Sequence, residues 1–86
     1  MQPRILLIED DPSTASALEK VLQAEGYRVA LNERGDQGLT QAQEPGFDLV
    51  ITDLKLPGLS GLELVRQLHT LRPRLPVILM TAHGTT

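Results

Sequence analysis

The stretch Val50-Ile51-Thr52-Asp53-Leu54-Lys55-Leu56-Pro57-Gly58, VITDLKLPG, decides how this chain is read. An apolar run over residues 49–51 leads into a single carboxylate, and a proline–glycine turn follows almost at once. A short continuous apolar run bounded by turn residues is the pattern of a strand buried on both faces. A carboxylate at the tip of such a strand is costly unless something pairs with it or it has a chemical task. The role of Asp53 therefore depends on what the rest of the chain brings beside it.

Outward from this stretch, apolar runs alternate with helical patterns. Residues 5–8, ILLI, read as a first strand. Asp11 suits a helix N-cap and Pro12 the first helical position. Ala15, Leu18, Val21 and Leu22 then give the helix an apolar stripe, and Gly26 ends it. Residues 28–31, RVAL, read as a second strand with polar residues interleaved, as at a sheet edge. A weaker helix is expected over 35–44, with Leu39 and Ala42 inward and Pro45-Gly46 as its stop. The third strand is expected over 48–52. Ser60-Gly61-Leu62-Glu63 has the S-x-x-E form of a capping box and opens a helix to about Leu71. Leu62, Val65 and Leu68 are expected on its core side, flanked by Leu64 and Leu71. Residues 76–80 complete a fourth strand. The order βαβαβαβ implies a parallel sheet with right-handed crossovers.

Composition bounds the alternatives. The 86 residues are enough for one small domain with a thin core, and 41% of them are apolar. There is no cysteine, which excludes disulfides and thiolate metal sites. The net charge of -3 and the absence of a basic stripe argue against direct nucleic-acid binding by this segment. The apolar run that follows Arg4 is too short for a signal peptide or a membrane span, so a soluble cytoplasmic domain is expected.

In a parallel α/β sheet, ligands bind outside the carboxyl ends of the strands. Glu9, Asp10 and Asp11 follow the first strand, Asp53 the third, and Thr81-Ala82-His83-Gly84 the fourth. If the first and third strands are neighbours, Glu9, Asp10 and Asp53 converge. Two carboxylates about 4 Å apart repel by roughly 4 kcal/mol at an effective dielectric near 20. A cation relieves that repulsion. A set of hard oxygens with no histidine or cysteine beside it favours Mg²⁺, with Mn²⁺ as the other ion it accommodates. Asp11 reads as the N-cap of the first helix.

With these residues in place, the chain resembles the receiver domain of bacterial two-component response regulators. The resemblance runs from Arg4 to the last residue and rests on ILLIEDD, DLVITDLKLPGLSG and PVILMTAHG in order and spacing. It implies a flavodoxin-like α/β fold, a parallel sheet of strand order 2-1-3-4. It implies that Asp53 accepts a phosphoryl group from a sensor histidine kinase. Glu9, Asp10, Asp53 and the backbone carbonyl of Lys55 would hold Mg²⁺. Thr81 would be the switch hydroxyl, Ala82 the small residue that leaves the pocket open, and Pro57 and Gly61 the turn into the third helix. On this reading the domain is a regulatory phosphoacceptor and not an enzyme. Any contact with DNA would come through a further output domain.

The chain departs from the family pattern at its end. The family carries a lysine after a fifth strand; this chain has only Lys20 and Lys55, and neither matches. Residues 1–86 correspond to a receiver domain without its fourth helix, fifth strand and fifth helix. The fourth strand would then be an open apolar edge beside a partly uncovered sheet face, which invites association between copies. A non-phosphorylated interaction or oligomerisation module is the alternative function. A haloacid-dehalogenase type of phosphatase would have a second acid two residues past the nucleophile, where this chain has Lys55. A dinucleotide-binding half would have a glycine-rich turn after Ile8. His83 lies at the expected pocket mouth, and His69 reads as a solvated helix residue. The Lys55 side chain reads as a surface charge, and Phe47 and Tyr27 as packing aromatics.

Overall fold

The computed structural model describes residues 2–80. Its elements are β1 (Arg4–Ile8), α1 (Pro12–Ala24), β2 (Arg28–Asn32), α2 (Gly35–Ala42), β3 (Leu49–Asp53), α3 (Gly61–Leu71) and β4 (Val77–Met80). The four strands form one sheet in the order β2-β1-β3-β4. All pairings are parallel, and the register sets Leu6 beside Val50 and Val50 beside Val77. This is the parallel architecture that the sequence pattern implies and the strand order that the family resemblance implies.

Alternation along the strands divides the core between two faces. Leu6, Ile8 and Val50 point to one side and pack with Ala42 of α2 and Leu64 and Leu68 of α3, together with Phe47 and Leu75. Ile5 and Leu7 point to the other, where α1 lies over β1 and β2 and buries Ala15. Each fully buried leucine, isoleucine or valine contributes roughly 1.5–3 kcal/mol relative to exposure. The two central strands thus hold the fold together. β4, at the margin, leaves Ile78 50% and Leu79 37% exposed.

The local signals account for most element ends. Asp11 caps α1, its carboxylate accepting from the Thr14 N–H at 3.0 Å and the Thr14 hydroxyl at 2.6 Å, with Pro12 next. Gly26 follows α1 at φ +96°, a conformation that glycine adopts without penalty. Ser60 caps α3 by accepting from the Glu63 N–H at 3.2 Å. The Glu63 carboxylate turns along the helix to Gln67 and Arg66.

Several details differ from the sequence reading. β3 starts one residue late and ends on Asp53 itself, because Asp48 accepts the Arg4 N–H at 2.8 Å instead of continuing the strand. α2 stops at Ala42, two residues short, where the Arg72 guanidinium binds the carbonyls of Ala42 and Glu44. β4 starts at Val77, after Pro76. The inward face of α3 is Gly61, Leu64 and Leu68, whereas Leu62 is 52% exposed. Gly61 presses its backbone against the Asp53 carbonyl, which rotates α3 away from the stripe of large side chains. On α1, Val21 is exposed and only Ala15 is buried; the helix packs mainly against β2 and β1. Phe47 is buried under the Arg4 guanidinium, 4.6 Å from its ring centre, while Tyr27 is 37% exposed.

Candidate functional site

The sheet register brings the carboxyl ends of β1 and β3 together, since Ile8 pairs with Thr52. The next residues, Glu9 and Asp53, are both buried. Asp10 is exposed beside them. One carboxylate oxygen from each of Glu9, Asp10 and Asp53 lies within 4.8 Å of the others. Two adjacent acids and a third more than forty positions away thus form one cluster at the tip of the two central strands.

Local hydrogen bonds fix the two buried members, Glu9 and Asp53. The Glu9 N–H donates to the Asn32 carbonyl at 2.9 Å, and a Glu9 carboxylate oxygen accepts from the Asp11 N–H at 2.9 Å. Asp11 is thereby committed to the helix cap, and its bonds to Thr14 hold its carboxyl below the usual aspartate range. The Asp53 carboxylate accepts from the Leu54 N–H at 2.7 Å. Thr52, fully buried, donates its hydroxyl to the Asp53 carbonyl at 3.1 Å. Burial pushes the Glu9 carboxyl above the ordinary glutamate range; the Asp11 N–H opposes this, and the charges on Asp53 and Asp10 add to the rise. A carboxyl raised by burial and by like charges marks a cluster short of positive charge.

Among the described residues no lysine or arginine pairs with this cluster; the ion pairs are Arg34 with Asp36 and Arg66 with Glu63. The donor set consists of hard oxygens only, partly buried and open to solvent on one side. That fits a small divalent cation that keeps some of its waters. Next to the acids a cleft opens between α1 and β4, lined by Glu9, Thr14, Leu18, Asp53 and Met80. Asp53 thus faces both the acidic cluster and open space.

The loop 54–60 leaves Asp53 and carries Lys55, which is exposed. It is closed at its base, where the Gly61 N–H donates to the Leu54 carbonyl at 2.8 Å, and held midway, where the Gly35 N–H donates to the Pro57 carbonyl at 2.9 Å. Gly58, at φ +85°, makes the turn between them. A methyl group on Gly61 would overlap the Asp53 carbonyl, so only glycine lets α3 begin this close to the strand tip. Thr81, Ala82 and His83 lie outside the described residues. Asn32, Thr52 and Gly35 were not singled out from sequence. Asn32 and Gly35 reach the site's segments through backbone groups, and only Thr52, a polar residue at the end of a buried apolar run, leaves a visible trace in the sequence.

A parallel sheet covered by helices on both faces, with an acidic trio at the tips of its central strands, defines an α/β fold with a candidate cation site. The family profile described as response regulator receiver domain matches residues 5–86, and this chain belongs to that family. It is 46% identical over 81 residues to the uncharacterized transcriptional regulatory protein YkoG of Bacillus subtilis, covering 94% of this chain and 36% of that protein. It is 38% identical over 84 residues to the transcriptional regulatory protein ZraR of Klebsiella oxytoca, covering 98% of this chain and 19% of that protein. The chain therefore spans about a third or less of these relatives. Among solved structures it is similar to the response regulator TrrA of Thermotoga maritima in complex with Mg²⁺ and BeF, with TM-score 0.91, 35% identity and coverage of 96% of this chain and 72% of that one. It is equally similar in fold to the receiver domain of a sensor histidine kinase from Pseudomonas aeruginosa, described with a magnesium ion in its active-site cleft. There the TM-score is 0.91, with 32% identity and coverage of 100% and 72%.

Proposed function

We propose that residues 1–86 supply the phosphoacceptor part of a two-component receiver domain, in which Asp53 takes a phosphoryl group from a sensor histidine kinase. The observation that carries this reading is the placement of Asp53: the last residue of β3, buried, open to a cleft, and within 4.8 Å of two further acids. Glu9, Asp10, Asp53 and the Lys55 carbonyl would hold Mg²⁺, or Mn²⁺ in its place. When bound, the ion neutralises negative charge on the transferring phosphoryl oxygens. The fit rests on the all-oxygen donor set and on the raised Glu9 carboxyl, both expected where a cation is needed to complete the charge balance.

The chain's own part in the transfer is nucleophilic. A carboxylate oxygen of Asp53 forms a bond to phosphorus as the P–N bond of the donor phosphohistidine breaks. The electron pair of that bond leaves on the imidazole nitrogen, which then takes up a proton. The Leu54 N–H holds the other face of the carboxylate in place. Thr81 is the hydroxyl that would move toward the new phosphoryl group, and Ala82 the small residue that keeps access to it open. The role is that of a regulatory switch and not of an enzyme acting on other substrates. The names of the relatives, transcriptional regulatory proteins, support an output through DNA by a domain outside this span. No helix among the described residues is long and apolar enough to cross a membrane; phosphoryl transfer from a sensor histidine kinase would place the domain in the cytoplasm.

The test is intact mass after incubation with acetyl phosphate and Mg²⁺. The reading predicts one phosphoryl adduct on the unsubstituted chain and none on Asp53→Asn or in chelator. An adduct of equal yield on the variant would overturn it.

A second reading concerns assembly. The exposure of Ile78 and Leu79 on β4, whose outer edge has no neighbouring strand among the described residues, favours self-association through β4 and the sheet face that α1 leaves open. Light scattering would then give a mass above that of one chain, falling to one chain with Ile78→Lys. A strictly monomeric, cooperatively folded species would overturn this second reading.

A further inference from the structure

The β2–α2 connection touches both of the segments that carry the acidic site, yet contributes no side chain to it. Asn32, at the end of β2, accepts the Glu9 N–H on its backbone carbonyl at 2.9 Å. Its side-chain oxygen accepts the Arg34 N–H at 3.0 Å, and its amide donates to Gln41 at 2.9 Å, so Asn32 also fixes the turn into α2. One residue further, the Gly35 N–H donates to the Pro57 carbonyl at 2.9 Å. The backbone of Gly35 lies directly against the Leu59 carbonyl; an added methyl group would overlap that oxygen. Arg34 and Asp36 form a two-bond pair, at 3.0 and 2.9 Å, and close over Gly58.

From these contacts we infer that the β2–α2 connection, above all Gly35, is a positioning element that sets the loop 54–60, and with it the Lys55 carbonyl, relative to Glu9 and Asp53. The inference rests on the metal reading of the acidic site. Its physical basis is that the obstacle to a side chain at Gly35 is backbone, which cannot turn aside as a flexible side chain can. A methyl group there must push the loop 54–60 outward, along with any ligand that the loop supplies. The Glu9 end of the connection, anchored through Asn32, stays in place. The distance between the two halves of the site then grows.

Gly38 provides an internal comparison. It lies on the same helix, one turn on, and the three atoms nearest to a methyl group there all belong to the Ile8 side chain. Gly38→Ala therefore disturbs the core beneath α2 without touching the loop. A generally loosened fold would affect the two substitutions alike; a positioning role separates them.

The experiment is a Mg²⁺ titration followed by amide chemical shifts in ¹H–¹⁵N spectra, with thermal midpoints measured beside it. It uses the unsubstituted chain, Gly35→Ala, Gly38→Ala and the double substitution Arg34→Gln/Asp36→Asn. Gly35→Ala is expected to weaken Mg²⁺ binding tenfold or more, and the double substitution about threefold. Gly38→Ala is expected to lower the thermal midpoint and leave the Mg²⁺ affinity unchanged. If Gly35→Ala does not fold, the double substitution, which removes only exposed charges, decides by the same criterion. Unchanged affinity in the folded loop variants, or equal weakening in Gly38→Ala, would overturn the inference. No saturable shift in the unsubstituted chain would overturn the metal reading, and this inference with it.

Discussion

Replacing Asp53 with asparagine will stabilise the metal-free chain while removing its response to Mg²⁺. The oxygens of Glu9, Asp10 and Asp53 lie within 4.8 Å of one another. At that separation two full charges repel by about 3.5 kcal/mol at an effective dielectric near 20. Solvent at the open side and added salt reduce this, leaving about 1–2 kcal/mol to be recovered when one charge is removed. Asparagine keeps a carbonyl oxygen for the Leu54 N–H, now bound at 2.7 Å, so little is lost in exchange. For a domain of this size, 1 kcal/mol moves the thermal midpoint by about 4–8 °C, so a rise of about 5–15 °C is expected. Far-UV circular dichroism melts in chelator would measure it. With Mg²⁺ the order reverses in its response: the unsubstituted chain gains stability as the ion binds its folded form, and the variant does not. An unchanged or lower midpoint for the variant in chelator, or an equal Mg²⁺ response in both, would refute the charge-cluster reasoning.

Other consequences concern pH, packing and caps. Glu9 has a folded pKa raised above 4.5, so in chelator its destabilising charge is fully present above that raised value and relieved as pH falls through it toward 4.5. Because Mg²⁺ must displace that proton, the Mg²⁺-induced rise in thermal midpoint will shrink on acidification from above pH 4.5, and a growing rise would contradict this. The Asp11 cap runs the other way: its contribution is present above 3.8 and is lost as pH falls through its lowered folded value. Leu64→Ala, at a fully buried position, will cost about 2–5 kcal/mol in urea unfolding, while Leu62→Ala, largely exposed, will stay within about 0.5 kcal/mol. Ser60→Ala will cost about 1 kcal/mol through loss of the α3 cap.

The contrast between Leu64 and Leu62 shows where reading the sequence reaches its limit. The apolar runs of β1 and β3 are legible because both of their faces are buried, so no phase has to be chosen. Their acids, Glu9 and Asp53, follow directly. The phase of α3 is not legible from its leucines, which surround much of the helix. It is set by Gly61, whose lack of a side chain lets the helix start against the Asp53 carbonyl. A reading that counts apolar side chains gives glycine no weight and places the stripe on Leu62 and Val65. Asn32 and Gly35 escape for a related reason. Their contacts to Glu9 and Pro57 use backbone atoms, which every residue carries, and only the tertiary approach singles them out. Asp53 was legible because its chemistry resides in its side chain and its position at a strand end.

The central claim is that Asp53 is the phosphoacceptor. The most direct measurement is to treat the chain with acetyl phosphate and Mg²⁺, reduce it with borohydride, and locate the change by tandem mass spectrometry, since reduction converts an aspartyl phosphate to homoserine. The account predicts homoserine at position 53 alone, dependent on Mg²⁺. Homoserine at Asp10 or Asp11 with position 53 unchanged would contradict it.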